Sequence, residues 1–148
     1  MNAVASPALR GARQLRLPFN LPTFPEPKTR VAVFGSFYGG YHVLSELLEP
    51  PLAEFLTVVG VATDDPAQPF THAGVRLWKY PHTQAEEQLV GLLARANDLP
   101  VYTGRVRTPD FEQTFVDHWR PDLCLMATFG QLISRQLFEF PRLGFNNS

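Results

Sequence analysis

The amino-acid sequence predicts an α/β fold, an open and mainly parallel sheet with helices on both faces. Three observations point there. Short apolar runs recur along the chain, as in "RVAVFGS" with its β-branched residues, "FLTVVGVAT" and "DLCLMAT". These runs are apolar on both faces, which suits strands covered on two sides. Between them stand segments whose apolar residues repeat at helical spacing, and alternation of the two kinds is the mark of parallel strands joined by crossover helices.

Each element has its own signals. "RVAVFGS" is a buried strand closed by Gly35. "YHVLSELL" follows as a helix with Val43, Leu44, Leu47 and Leu48 on one side, and Pro50 and Pro51 end it. "FLTVVGVAT" is the second strand, closed by Asp64, Asp65 and Pro66. A polar, proline-interrupted loop occupies residues 67–81, with a short strand expected at 75–78. Thr83 with Glu86 three residues on has the form of a capping box and opens a helix through Leu89, Val90 and Leu93. "LPVYT" is a short third strand. Thr108 is an N-cap with Pro109 at the first helical position, and Phe111, Phe115 and Trp119 form that helix's inward side. "DLCLMAT" is the fourth strand, "QLISRQLF" a short helix, and "GFNNS" begins a fifth strand. The architecture is therefore Rossmann-like.

Composition narrows the class of protein. At 148 residues the chain is one domain's worth of sequence, able to bury a real core. Thirteen Lys and Arg against fourteen Asp and Glu leave no basic stripe of the kind that grips nucleic acid. The lone cysteine, Cys124, excludes an internal disulfide and a multi-cysteine zinc site. His42, His72, His82 and His118 have no metal-ligand spacing, so no metal is expected. No apolar run reaches the roughly 20 residues that span a bilayer, and a cytoplasmic location is expected. Residues 1–29 read as a flexible or extended leader, because Pro18, Pro22, Pro25 and Pro27 interrupt any helix. Arg10, Arg13 and Arg16 with a single acid, Glu26, give that leader a transit-peptide flavour, so organellar import is the alternative.

In parallel sheets of this kind ligands bind beyond the carboxyl ends of the strands. The first such end, "GSFYGGYH", is a glycine-rich turn into a helix. Its amides, with the Ser36 hydroxyl, suit a phosphate on a substrate, which makes Gly35, Ser36, Gly39 and Gly40 candidate substrate-binding residues. The spacing fits neither a dinucleotide fingerprint nor a P-loop. The competing reading is a tight strand-to-helix turn in which glycine permits close packing. The fourth strand ends in "MATFGQLIS", where turn backbone is available to a flat, amide-like heterocycle between Phe129 and Leu132. Arg105 and Arg107 stand in a third loop, either as contacts for an acceptor phosphate or as solvated charges.

Taken as a whole, "RPDLCLMATFGQLISRQLFEFPRLGFNNS" resembles the formyltransferase family, which includes methionyl-tRNA, glycinamide ribonucleotide and sugar N-formyltransferases. Shared features are a Pro-Asp lead-in to a buried strand, an aromatic-glycine turn, an apolar pair, and Leu-Gly before a strand that ends in asparagine. The likeness covers residues 30–148. It implies that the co-substrate is 10-formyltetrahydrofolate, its pterin packed near Phe129 and paired with the backbone of Gly130, Gln131, Leu132 and Ile133. It also implies that Asn147 is a catalytic oxyanion donor, a role whose removal typically costs about a hundredfold to a thousandfold in rate. In the family this asparagine is followed by one residue, the place of Ser148 here, and then by His-Pro-Ser. On this resemblance 30–148 is an incomplete N-terminal catalytic domain, inactive alone, with a sheet edge open to self-association. The acceptor is an amine on a nucleotide, a sugar nucleotide or aminoacyl-tRNA. Alternatives are a non-catalytic binding or interaction module on the same fold, a 10-formyltetrahydrofolate hydrolase, and a nucleotide-binding protein unrelated to folate.

Overall fold

The computed structural model describes residues 27–70 and 81–147. The expected leader up to residue 26 and the strand expected at 75–78 lie outside the described residues, as does Ser148. Among the described residues five strands form one sheet: β1 (Thr29–Gly35), β2 (Leu56–Ala62), β3 (Val101–Tyr102), β4 (Leu123–Ala127) and β5 (Phe145–Asn147). Their order across the sheet is β3-β2-β1-β4-β5, and every pairing is parallel. The Rossmann-like α/β architecture follows. Chain order reverses between β1 and β4, the switch point where such sheets open a crevice.

Two apolar clusters lie on opposite faces of the sheet. On one, α1 (Phe37–Leu47) and α2 (Leu89–Ala96) contribute Leu44, Leu47, Val90 and Ala94 against Val31, Val33, Val58 and Val61. On the other, α3 (Pro109–Thr114) and α4 (Arg135–Glu139) bring Phe111 and Leu137 against Ala32, Phe34, Ala62 and Cys124. Alternate residues of β1 thus feed alternate faces, as a pleated strand requires.

Three elements differ in detail from the sequence expectation. The helix α1 starts at Phe37 rather than Tyr41, so Gly39 and Gly40 lie in its first turns rather than in a loop. The reason is packing: a Cβ on Gly40 would fall 2.5 Å from the Gly35 carbonyl carbon, so the helix rests directly on the end of β1. The Thr83 capping box forms, with Thr83 N–H donating to Glu86 at 2.9 Å and Glu86 N–H to the Thr83 hydroxyl at 3.3 Å. It leads first into a tight turn at Ala85–Gln88, and the α-helix begins only at Leu89.

The helix after Thr108 is capped as expected, with Phe111 N–H donating to the Thr108 hydroxyl at 3.2 Å. Beyond Thr114 it widens into a π turn, Phe115–Trp119, closed by Arg120 N–H on the Phe115 carbonyl at 2.8 Å. The widening has a purpose readable from the spacing. Residues four apart drift about 40° per step around an ordinary α-helix, and a wider turn cancels that drift. Phe111, Phe115 and Trp119 consequently all stay buried on one side.

Trp119 in turn explains a feature of β2. The register with β1 slips between Val31 and Ala32, leaving Val59 as an extra residue opposite them. The indole lies over Gly60, where a Cβ would run into its ring atoms. A glycine inside a strand marks a bulge or a close approach, and here it marks both. At the opposite edge of this contact Arg30 holds the helix end: its guanidinium donates to the Trp119 carbonyl at 2.6 Å and the Arg120 carbonyl at 3.1 Å. A cation on the free carbonyls of a helix C-terminus satisfies them and complements the dipole. The Arg30 backbone N–H donates to Asp122 at 2.9 Å, and this bond, with Arg142 beside the same side chain, holds the Asp122 carboxyl below its usual range.

Replacing Gly60 with alanine is expected to destabilise the fold by about 1–3 kcal/mol, since the added methyl would displace a buried indole. Urea unfolding of Gly60→Ala checks this, and a midpoint equal to that of the parent chain would refute the packing account.

Candidate functional site

The carboxyl ends of β1, β2 and β4 meet around one carboxylate. Among the described residues the buried polar or charged side chains are Ser36, Thr63 and Asp64, and the three adjoin. The Ser36 hydroxyl donates to Asp64 Oδ2 at 2.7 Å and accepts from the Asp64 backbone N–H at 3.0 Å. It also lies 3.4 Å from the Thr63 hydroxyl. The Gly130 N–H, 66 residues away in sequence, donates to the same Oδ2 at 2.8 Å. Backbone pairing adds to the junction, with Ser36 N–H donating to the Ala127 carbonyl at 3.2 Å. One oxygen therefore ties the segment that leads into α1 to the turn that leaves β4.

The charge state of Asp64 follows from this burial. Removing a carboxylate from water raises its pKa, while hydrogen bonds to the charged form lower it. For Asp64 the burial effect is the larger, and it outweighs the bonds from Ser36 and Gly130, so the carboxyl titrates above its ordinary value. Raised carboxyl groups in a crevice are functional-site candidates.

The backbone around this cluster is constrained. Phe37 and Thr128 both take left-handed conformations, with φ of 57° and 55°. Side-chain-bearing residues seldom adopt that region, a β-branched threonine least of all. Such residues gather at functional sites because surrounding contacts over-determine them. Gly39 makes Thr128 possible, since a Cβ on Gly39 would run into the Thr128 hydroxyl.

The residues singled out in the sequence fall into separate groups. Gly35 and Gly40 meet backbone to backbone, 2.8 Å from where the Gly35 Cβ would stand. Ser36 is 2% exposed and directs its hydroxyl at Asp64 rather than outward. Phe129 is half-buried with its ring edge-on to Phe34, centroids 5.5 Å apart. Gly130 is held by Asp64. The Gln131 side chain is a strap: its Oε1 accepts from Val106 N–H and its Nε2 donates to the Gly104 carbonyl, both at 3.0 Å. Leu132 is 74% exposed, while its neighbour Ile133 packs onto the aromatic core. An apolar side chain that far into water beside a half-buried one is half of a wall, open on its outer side.

Asn147 lies in β5 opposite Met126 of β4, and it is exposed. Phe145, two residues earlier, packs on the aromatic core, which places Asn147 on that face and Asn146 on the other. The ends of β4 and β5 thus present Asn147, the turn from Thr128 and the Phe129 to Ile133 wall side by side. In the loop after β3, Arg105 stacks over the Phe70 ring at 4.5 Å, a cation–π contact, while Arg107 is exposed. Of the histidines, His82 stacks on Phe37 at 4.7 Å and lies 2.8 Å from Glu87. His118 is at the surface. No three His, Cys, Asp or Glu residues gather in a metal-binding group among the described residues. The Cys124 thiol is buried, which pushes its pKa up and keeps it unreactive. No helix among the described residues is long and apolar enough to cross a membrane.

Asp64 is the residue that sequence reasoning left without a role. It stood at a strand end, but so did Asp65, and nothing local distinguished a buried acid from a turn-forming one. The available signal was an acid directly after an apolar strand in a fold whose glycine turns crowd those ends. The side-chain strap of Gln131 was equally unassigned, because it depends on a loop 25 residues away. A scan against protein-family models finds none that matches this chain. A search of curated proteins likewise finds no significant match.

Burial of Asp64 carries a pH signature. A folded pKa above the unfolded value of about 3.9 means that stability is greatest below that value and declines as pH rises through the folded pKa. Asp64→Asn keeps an oxygen for Ser36 and Gly130 but cannot ionise. Its stability relative to the parent chain is expected to improve steadily as pH rises from the acid range and then to level off. Urea midpoints across pH for both proteins check this, and parallel curves would show that Asp64 titrates as it does unfolded.

Proposed function

We propose that this chain carries the folate and formyl-transfer portion of a formyltransferase, passing a formyl group from 10-formyltetrahydrofolate to an amine. The observation that carries the reading is the pairing of Asn147 at the end of β5 with the half-open apolar turn at the end of β4. A pterin needs an apolar slot and a backbone edge for its amide-like ring, and Phe129, Leu132 and the 130–133 backbone are of the kind required. The formyl carbonyl next to it needs a hydrogen-bond donor where negative charge develops, and a strand-borne asparagine amide is such a donor.

In the proposed reaction the amine nitrogen attacks the formyl carbon, and the carbonyl π electrons move onto oxygen. The Asn147 Nδ2–H group donates to that oxyanion. The carbon–N10 bond then breaks as the carbonyl re-forms, N10 gains a proton, and the amine nitrogen loses one. Tetrahydrofolate and the formamide are the products. Water in place of the amine would give formate instead, so the hydrolase is a variant of this reading. The acceptor belongs to a class defined by its free amine, whether on a nucleotide, a sugar nucleotide or an aminoacyl-tRNA. The start of α1 is poorly suited to a phosphate, because a buried carboxyl already occupies the Ser36 hydroxyl there.

Calorimetric titration of a non-reactive 10-formyltetrahydrofolate analogue tests the reading. Saturable binding is expected, weakened about three- to tenfold in Asn147→Ala, the loss of one hydrogen bond to the formyl oxygen. A folded chain that takes up no analogue would sink the folate assignment and leave the non-catalytic module as the better reading.

A further inference from the structure

Asp64 takes no part in the chemistry above, yet the turn proposed to meet the pterin hangs from it. Resting on that formyl-transfer reading, we infer that Asp64 is a positioning residue: its carboxyl holds the turn at 128–133 against the end of β1, presenting the turn's backbone as a ready-made binding edge.

Three features carry the inference. Gly130 is exposed as a residue, and the part-buried bond from its N–H to Asp64 Oδ2 ties it to the end of β2 across 66 residues of chain. Thr128, two residues before, is in a left-handed conformation that the turn would leave if released. The same Oδ2 takes the Ser36 hydroxyl, and Ser36 is itself anchored by its N–H to Ala127 at the end of β4. The carboxyl thus closes a ring of contacts from β1 through β2 to β4 and back. A backbone edge recognises a planar heterocycle only if its donors and acceptors are fixed beforehand, since ordering a loose turn on binding subtracts from affinity. Gln131 supports the turn from the other side by its strap to Val106 and Gly104, which leaves Asp64 to set the position of Gly130.

Two readouts on the full chain test this, using Asp64→Ala and Asp64→Asn. Amide exchange at Gly130 reports the turn without any ligand, and titration of the 10-formyltetrahydrofolate analogue reports its use. In Asp64→Ala, Gly130 exchange is expected to rise about tenfold to a hundredfold and analogue affinity to fall by about tenfold. Amides of β1 and β2 should keep their protection, and Asp64→Asn, which retains the acceptor, should restore both readouts. Should alanine prevent folding, Asp64→Ser replaces it, being too short to reach Gly130. Unchanged Gly130 exchange in the truncated variant, or faster exchange with undiminished affinity, would overturn the inference. If the parent chain binds no analogue, the folate reading fails by itself, and Gly130 exchange still decides whether Asp64 holds the turn.

Discussion

The ring of Phe34 is the contact through which the site is supported. It lies in the central strand, fully buried, and touches four other rings: Phe145 at 5.3 Å, Phe129 at 5.5 Å, Phe115 at 6.0 Å and Phe111 at 6.1 Å. Those rings come from β5, the β4 turn and the helix α3 with its π turn. Aromatic pairs at such distances and tilts add about 0.5–1.5 kcal/mol each beyond the area they bury. Their geometric effect matters more here. Because Phe129 and Phe145 share one neighbour, the turn that begins at Thr128 and the strand that ends at Asn147 are referenced to the same fixed point. The π turn belongs to this arrangement too, since it keeps Phe115 and Trp119 on the side of the sheet where Phe34 waits.

Asp64 does on the polar side what Phe34 does on the apolar side. The aromatic cluster fixes Phe129 by its ring, and the carboxyl fixes Gly130 by its backbone. The two kinds of contact differ in cost. Ring packing is favourable wherever it is buried, whereas a carboxyl loses hydration on burial and recovers only part of it from Ser36 and Gly130. Its raised pKa is the measure of that shortfall. A hydrophobic residue would stabilise the fold more cheaply but could not hold a backbone N–H. The turn's position, rather than the domain's stability, is what the buried acid serves.

The architecture was legible because it rests on periodicity and on local chemistry. The strands announced themselves as apolar runs, the Thr108 and Thr83 caps formed as the side chains required, and a mainly parallel sheet followed from alternation. Where the reading slipped, a tertiary contact was responsible. The start of α1 moved upstream because Gly40 meets Gly35, two residues whose approach no local rule reveals. The bulge at Val59 exists because of Trp119, about sixty residues later in the chain. Asp64 and the Gln131 strap escaped for the same reason, since their partners are 66 and 25 residues distant. The position of Asn147 at a strand end was legible, but its neighbourhood with the Phe129 turn came only with the strand order.

That distinction bears on how the two glycine-bearing strand ends should be read. A glycine turn before a helix invites a phosphate, because free amides and the helix dipole favour negative charge. In this chain the invitation is largely taken up from within. Gly35 and Gly40 use their missing side chains to bring β1 and α1 together, Gly39 makes room for Thr128, and the Ser36 hydroxyl donates its hydrogen bond to the Asp64 carboxyl. An incoming phosphate would set its charge near Asp64 and push that carboxyl still further toward its neutral form. The turn after β4 has the opposite character: an exposed leucine, a half-buried phenylalanine and a backbone edge held from behind, with an exposed asparagine on the next strand. The open surface among these strand ends therefore lies at β4 and β5, and the first glycine turn serves as the footing from which the β4 turn is held.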